Sequence, residues 1–414
     1  MKVLFFSNSP ANAEEYLNKT NVSGGWLQSL DKHVQKKVDF NLVFHTKKPI
    51  EPFKYRNANY YPVLDEDART YNKLRNTITY VSYYSSQVKQ YLNIVHEVSP
   101  DIIHIAGTEN SFVYLQKYVN NIPIVFSIQG NLTVLTHKFF SGIEKEFIIK
   151  TGFTLNRFNP RSYWWLHQKF KYMGMRERLV LAEAKYIIGR TDWDRRITKI
   201  LAPQRQYFHN DEILRGDFYS NIWNNTITTP LQIVSVTGPS LYKGLETILH
   251  TSRLLQDYGL KFNWHIIGLE ANHRLVKIAQ KKVKNGMENL IFHGRLSANK
   301  IVYHLLKAHI YVMGSHIENS PNNLCEAMLV GMPIVATNAG GTASLFRDTE
   351  DGVLIQDGDP WAMAGSILEI IENYEKAVKC GRHARQKALE RHNPQKVVND
   401  LINIYKNIID DYKT

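Results

Sequence analysis

Cysteine is almost absent: Cys325 and Cys380 are the two in a chain of 414 residues. A disulfide scaffold is thereby excluded, and a reducing compartment, the cytoplasm, is the expected setting. Four Cys and His ligands at zinc-finger spacing do not occur. No run approaches ~18 consecutive apolar residues, so no transmembrane helix is expected. Lys2 followed by Val3-Leu4-Phe5-Phe6, with Ala11-Asn12-Ala13 beyond, imitates a signal peptide. The apolar run is shorter than the ~7 residues of an h-region, and a first β-strand is expected instead. Neither G-x-G-x-x-G nor a Walker-type phosphate loop occurs, which removes the dinucleotide and P-loop readings. Acids are the minority charge: 38 Asp+Glu against 51 Lys+Arg, a formal net charge of +13. Such an excess calls for an anionic partner. No recognition-helix or RNA-binding motif accompanies it, so nucleic acid is not expected.

What is present is a globular composition, 43% hydrophobic, 21% charged and 12% aromatic. At roughly 100–200 residues per domain, the length suits two or three domains. Short apolar runs at 2–6, 102–105, 123–128 and 184–189 alternate with helical spacing such as Leu27, Leu30 and Val34. A second series follows at 232–236, 262–267, 290–293, 309–313 and 333–336, with a helical pattern from 244 to 255 after its first member. This alternation predicts an α/β fold with two parallel, Rossmann-like sheets. The expected division is a first domain over 1–218, a linker over 219–230, a second domain over 231–392, and a C-terminal helix over 393–414. That helix, apolar at Val397, Val398, Leu401, Ile402, Tyr405 and Ile408, is expected to pack back on the first domain. Sheets of this kind bind ligands at the carboxyl ends of their strands, so a cleft lined by both sets of strand ends is the expected site.

Residues 138–178 carry nine Lys/Arg and three acids, interleaved with aromatics such as Phe139, Phe147, Trp164, Trp165 and Tyr172. Basic residues mixed with aromatics suit an anionic membrane surface. A solvated helical insertion whose aromatics are core is the alternative, and both stay open.

The richest stretch runs from Ser315 to Gly341. Glu318 lies before a helix expected to start near Pro321, and Glu326 lies inside it. Proline suits a first helical turn, and the first amides of a helix make an anion site fit for a diphosphate. Two carboxylates so spaced can accept hydrogen bonds from sugar hydroxyls; two ordinary surface glutamates are the plain alternative. Three Asp-x-Asp pairs (Asp65/Asp67, Asp192/Asp194, Asp357/Asp359) are set aside, the third as a turn with Asp359 capping a helix that begins at Pro360. No metal is expected.

Glu318, Glu326-Ala327, Gly331-Met332-Pro333-Ile334-Val335 and Gly340-Gly341 together resemble the signature of the family-4 retaining glycosyltransferases (group 1 glycosyl transferases). The Glu-Asn-Ser-Pro-Asn variant at 318–322 resembles enzymes of surface-polysaccharide or O-antigen type. The resemblance implies the GT-B fold, two Rossmann-like domains facing across a cleft, with no cofactor beyond a nucleotide-diphosphate sugar as co-substrate. It gives Glu318 the transferred sugar, Glu326 the ribose hydroxyls, and Lys243, in Tyr242-Lys243-Gly244, the diphosphate. Ser320, Pro321, Asn322, Asn323, Leu324, Gly238, Gly340, Gly341 and Arg295 complete the implied donor site. Gly24, Gly25, His104, Glu109, Gln129 and Arg190 are the implied acceptor or cleft residues. Tight-turn glycines and, for Arg190, a buried salt bridge are the plain alternatives. This sequence departs from the family at Thr237-Gly238, where Gly-Arg is usual, at Ser320-Pro321, where Phe-Gly is usual, and at Gln129, where histidine is common. Such enzymes are thought to use the leaving phosphate as base. The expected function is sugar transfer to a hydroxyl of a glycan, lipid-linked and at the inner face of a membrane. The rivals are a sugar-nucleotide epimerase and a non-catalytic, membrane-associated glycan-binding protein.

Overall fold

The computed structural model describes residues 1–17, 25–65, 85–151 and 162–414. They form two parallel α/β units. The first sheet takes β1 (Lys2–Ser7), β2 (Asp39–Thr46), β3 (Phe53–Tyr55), β4 (Ala58–Leu64), β5 (Ile102–Ala106), β6 (Ile124–Ser127), β7 (Tyr186–Gly189) and β8 (Gln206–His209), in the order β3-β4-β2-β1-β5-β6-β7-β8. Only β3 runs antiparallel to its neighbour. Both faces of this sheet are covered, which is why its strands read as unbroken apolar runs. Val3 and Phe5 enter one core layer, with the helices Gly25–Val34 and Pro394–Lys413. Leu4 and Phe6 enter the other, with the helix Ser85–Val98. The C-terminal helix starts at Asn393, whose side chain accepts from the amides of Gln395 and Lys396, ahead of Pro394. It lays Val397, Val398, Leu401, Tyr405 and Ile408 onto the first sheet.

The second sheet takes β9 (Leu231–Val236), β10 (Phe262–Ile267), β11 (Leu290–Phe292), β12 (Ile310–Met313), β13 (Ile334–Thr337) and β14 (Val353–Ile355), in the order β11-β10-β9-β12-β13-β14. This is the doubly wound order, and it puts the reversal point at β9 and β12, whose carboxyl ends open toward the same place. Buried Trp264 of β10 donates its indole N–H to Ser235 Oγ (3.0 Å), which donates to the Val312 carbonyl (2.6 Å), pinning β10, β9 and β12 together.

By contacts, one unit comprises 1–136, 165–213 and 392–414, and the other 137–164 and 214–391. Leu214, Phe218 and Trp223 are core residues of the second unit. The Trp223 amide donates to the Val330 carbonyl (2.9 Å) and its indole to Ala308 (2.8 Å). The stretch expected as a linker is thus anchored on the second unit along its first half. No described helix is long and apolar enough to cross a membrane.

Candidate functional site

In the second unit, two loops meet at the reversal point. After β9 the chain makes one 3-10 turn, Leu241–Lys243, then Gly244 at φ +69° starts the helix Leu245–Asp257. A Cβ on Gly244 would collide with the carbonyl of Gly314, which follows β12. Glycine therefore permits both the left-handed backbone and the close approach. The His316 amide donates to the Tyr242 carbonyl (2.8 Å), tying the loops together. The result is that Lys243 Nζ lies 2.6 Å from Glu318 Oε1. Burial pulls the Lys243 ammonium down, but the charge and hydrogen bond of Glu318 outweigh it and hold it above the ordinary lysine value. The Glu318 carbonyl accepts from the Gly341 amide (2.9 Å), which brings the paired glycines to the same loop.

The following helix spans Asn322–Val330 and has Pro321 at its cap position, one residue earlier than the first helical turn. Pro321 supplies no side-chain cap, and Asn323 Oδ1 accepts from the Leu324 amide (3.0 Å). Asn323 donates to the Val236 carbonyl at the end of β9. Buried Glu326 forms a bidentate pair with Arg215, both N···O distances 2.7 Å. Burial raises the Glu326 carboxyl, and Arg215 works against that rise. A carboxylate holding one guanidinium this way keeps a second lone pair on each oxygen for hydroxyl donors. Thr237 Oγ1, Asn322 Oδ1 and the Tyr311 hydroxyl are buried and have no hydrogen-bond partner. Thr237, just past β9, and Asn322, at the helix start, fit a site that completes its hydrogen bonds with a polar ligand, whereas Tyr311 lies inside β12 in the core.

Beside this loop, His316 Nε2 lies 2.6 Å from Glu246 and Nδ1 lies 3.3 Å from Asp357. Burial lowers the imidazole, but Glu246 and then Asp357 outweigh it, and its pKa is raised. Gly142, at φ +79°, presses on this pair: a Cβ there would collide with both Glu246 and His316. The Gly142 carbonyl accepts from Lys282 (2.6 Å), which also pairs with Glu144 (2.7 Å).

Arg295 follows β11 and is exposed; Gly238 follows β9 by two residues. In the first unit, Glu109 and Gln129 meet beside Gly107, whose φ of +84° leaves no room for a Cβ against the Glu109 carboxylate. Asn8, after β1, donates to Glu109 (3.2 Å). Burial raises the Glu109 carboxyl. Arg176 donates to the carbonyls of Thr108 and Glu109. Buried Glu177 accepts from Thr108 (2.6 Å) and from the amides of Leu132 and Thr133, so it holds the helix start beside the cluster.

Arg190 pairs with buried Glu212 (3.4 Å) and stacks 4.2 Å over the Trp26 ring. That is the salt-bridge alternative. His104 is a core residue: Nδ1 meets the Tyr405 hydroxyl at 2.6 Å, its ring lies 4.3 Å from Phe5, and burial, helped by Arg190, lowers it to about 3. Gly25 opens the helix Gly25–Val34 with open space around it, and Gly24 lies outside the described residues. Of the Asp-x-Asp pairs, Asp359 caps a helix through the amides of Trp361 and Ala362. Asp194 accepts from the Arg190 amide and from Tyr207. Asp67 of the first pair lies outside the described residues. Arg215 has no motif to announce it: its carboxylate partner is 111 positions away.

Residues 220–387 match the family model described as glycosyl transferases group 1. The amylovoran biosynthesis glycosyltransferase AmsK of Erwinia amylovora is 29% identical over 167 residues, 38% of this chain and 40% of its own. The chain spans less than half the length of several curated relatives that it matches. Sucrose-phosphate synthase from Thermosynechococcus elongatus superposes with a TM-score of 0.74 at 14% identity, over 99% of this chain and 100% of that one. HepE of Anabaena, solved with UDP and glucose, gives 0.64 at 14% identity, over 98% and 100%.

Proposed function

We propose that this chain, which has the GT-B fold and matches the group 1 glycosyl transferases over residues 220–387, transfers a sugar, with retention, from a nucleotide-diphosphate sugar to a hydroxyl of a lipid-linked glycan. The observation that carries this reading is the Lys243–Glu318 pair, held at the joined ends of β9 and β12 with Gly341 on the same loop. In this reading the diphosphate takes Lys243 as its counter-ion, so the lysine exchanges a carboxylate for the charge that develops on the leaving group. Stabilising charge where it develops is the largest lever such a site has. The amides at the start of the helix Asn322–Val330 face the same anion. Glu318, released from Lys243, hydrogen-bonds the hydroxyls of the transferred sugar. Glu326 keeps Arg215 and offers its remaining lone pairs to the ribose. The leaving phosphate serves as the base for the incoming hydroxyl. Glu109, Gln129 and Asn8 of the first unit are assigned to the acceptor.

A uridine nucleotide is the donor to try first, because HepE was solved with UDP and glucose. Surface-polysaccharide synthesis is the setting that the amylovoran relative supports. The exposed cations among the described residues of 138–178 are assigned to an anionic membrane surface that carries the acceptor.

The test is release of nucleoside diphosphate from a panel of UDP-, GDP- and ADP-sugars, with and without glycan acceptors. Acceptor-dependent release supports transfer; turnover of the sugar without acceptor supports epimerisation instead. Lys243→Ala should lower kcat by about 10²–10³. Full activity in Lys243→Ala or Glu318→Ala would overturn the assignment.

A further inference from the structure

Three histidines of the second unit, one in a strand, one just past a strand and one on a helix, converge at the β10–β11 side of its sheet and are unused by the transfer chemistry. His265 lies in β10, His293 directly follows β11, and His304 lies on the helix Ala298–Lys307. Each offers one ring nitrogen, and these nitrogens all lie within 4.8 Å of one another. His265 Nδ1 is 2.9 Å from His293 Nε2, and the ring centroids of His293 and His304 are 4.3 Å apart. All three side chains are half-buried, so solvent reaches the cluster.

The neighbours fix which nitrogen is available. Gln232 of β9 donates its amide N–H to the Pro230 carbonyl (2.8 Å), which leaves its Oε1 as the acceptor facing His265. His265 Nε2 therefore carries the proton and donates it to Gln232 (3.1 Å), while Nδ1 turns a lone pair toward the other two rings. A ligating histidine characteristically donates its second ring N–H to an oxygen in this way. Burial lowers the pKa of all three imidazoles, to about 4 for His265, where the neighbouring rings add to the effect. Neutral imidazole is the form that binds metal.

We infer that His265, His293 and His304 form a binding site for one divalent transition-metal ion, with zinc as the ion the donor set suits. Imidazole ligands without a carboxylate favour zinc, nickel or copper over magnesium or calcium. Zinc–nitrogen bonds of about 2.0–2.1 Å place tetrahedral ligands about 3.3–3.4 Å apart. The 2.9 Å contact of His265 and His293 thus opens by about half an ångström when the ion enters. The proton that His293 Nε2 donates to His265 moves to its own Nδ1, so the ring stays neutral and no charge is lost. Solvent supplies the fourth ligand through the exposed side. Bound there, the ion ties β10, β11 and the helix Ala298–Lys307 together.

The test uses tag-free full-length protein, stripped by chelator and titrated with Co²⁺ and Zn²⁺ by visible absorption and calorimetry. One equivalent should bind, with a tetrahedral cobalt spectrum, and Zn²⁺ but not Mg²⁺ should raise the thermal midpoint. His293→Ala and His304→Ala should each weaken binding at least tenfold. Gln232→Leu, which leaves all three rings, should weaken it by about 10–100-fold. Circular dichroism and the melting point in chelator, unchanged from the parent, establish that the variants fold. No stoichiometric site, or binding undiminished in His293→Ala and His304→Ala, would overturn the inference. None of these readouts involves sugar transfer, so the inference stands or falls apart from the proposed function.

Discussion

Glu326 and Arg215 show how one side chain sets another. A carboxylate with a side chain 5% exposed is costly unless paired, and Arg215 supplies both hydrogen bonds at 2.7 Å. Removing the arginine leaves a buried carboxylate that must stay charged alone or take up a proton. Arg215→Ala should therefore cost on the order of 3 kcal/mol in urea unfolding. Glu326→Gln, which keeps one of the two acceptor oxygens and loses the charge, should cost less. If Glu326 also meets the ribose, Glu326→Gln should raise the donor KM. An Arg215→Ala protein as stable as the parent would show the pair to be dispensable.

His316 makes a second residue-scale case. Its folded pKa lies above the unfolded value near 6.5, because Glu246 and Asp357 outweigh the burial that lowers it. The native state then binds the extra proton, so this contribution is fully present below the unfolded pKa and is lost as pH rises through the folded one. The stability difference between parent and His316→Gln should shrink on going from pH 6 to pH 8. A difference that does not change with pH would remove the charged His316 from the account.

Among the elements, the Gly244 turn decides where Lys243 goes. Gly244→Ala adds a Cβ at φ +69° and drives it into the Gly314 carbonyl. The expected loss is on the order of 3 kcal/mol, with the proposed transferase activity falling further because the loops holding Lys243 and Glu318 part. Gly216→Ala is the control, since its Cβ meets nothing within 4 Å; it should change stability by less than ~0.5 kcal/mol. Equal melting points for the two variants would contradict the packing described at the loop.

The same elements show what a sequence displays and what it hides. β1, β5, β6, β12 and β13 were readable because each is a short, buried and mainly apolar run. The helix at 322 was readable from its proline and glycine punctuation. β8 was hidden because Gln206–His209 is polar at both ends and partly exposed. Positions far apart in sequence carry no local period when they pair, which hid Arg215 on Glu326 and the His265–His293–His304 cluster. His104 looked like a strand-end functional residue, yet the sequence could not display that Tyr405, 301 positions on, would cover it. Nor does any local pattern tell that the described residues 137–151 pack within the second unit.

On the scale of the whole molecule, the +13 charge resolves into cations with partners and cations facing water. Within 138–178, Lys138 lies 3.8 Å from Asp357, and Arg176 is buried against two carbonyls. These serve the fold. Lys171, Met175, Arg178 and Leu179 are exposed on the helix Tyr163–Leu181 at spacings of four, seven and eight residues, which place them on one face. Met175 is 54% and Leu179 70% exposed, so apolar tips stand beside cations on that face. An anionic bilayer offers the cations about 1 kcal/mol each near its surface and gives the apolar tips somewhere to bury. The protein should therefore co-sediment with vesicles rich in anionic lipid, bind neutral vesicles far less, and release as salt shortens the electrostatic range. Replacing both Lys171 and Arg178 by Glu should weaken that binding by at least tenfold, given about 1 kcal/mol per cation removed. Leu179→Ser should weaken binding at high salt, where only the apolar contribution persists. Equal binding to neutral and anionic vesicles, or a double variant that binds like the parent, would assign the charge on this face to solubility rather than to a membrane.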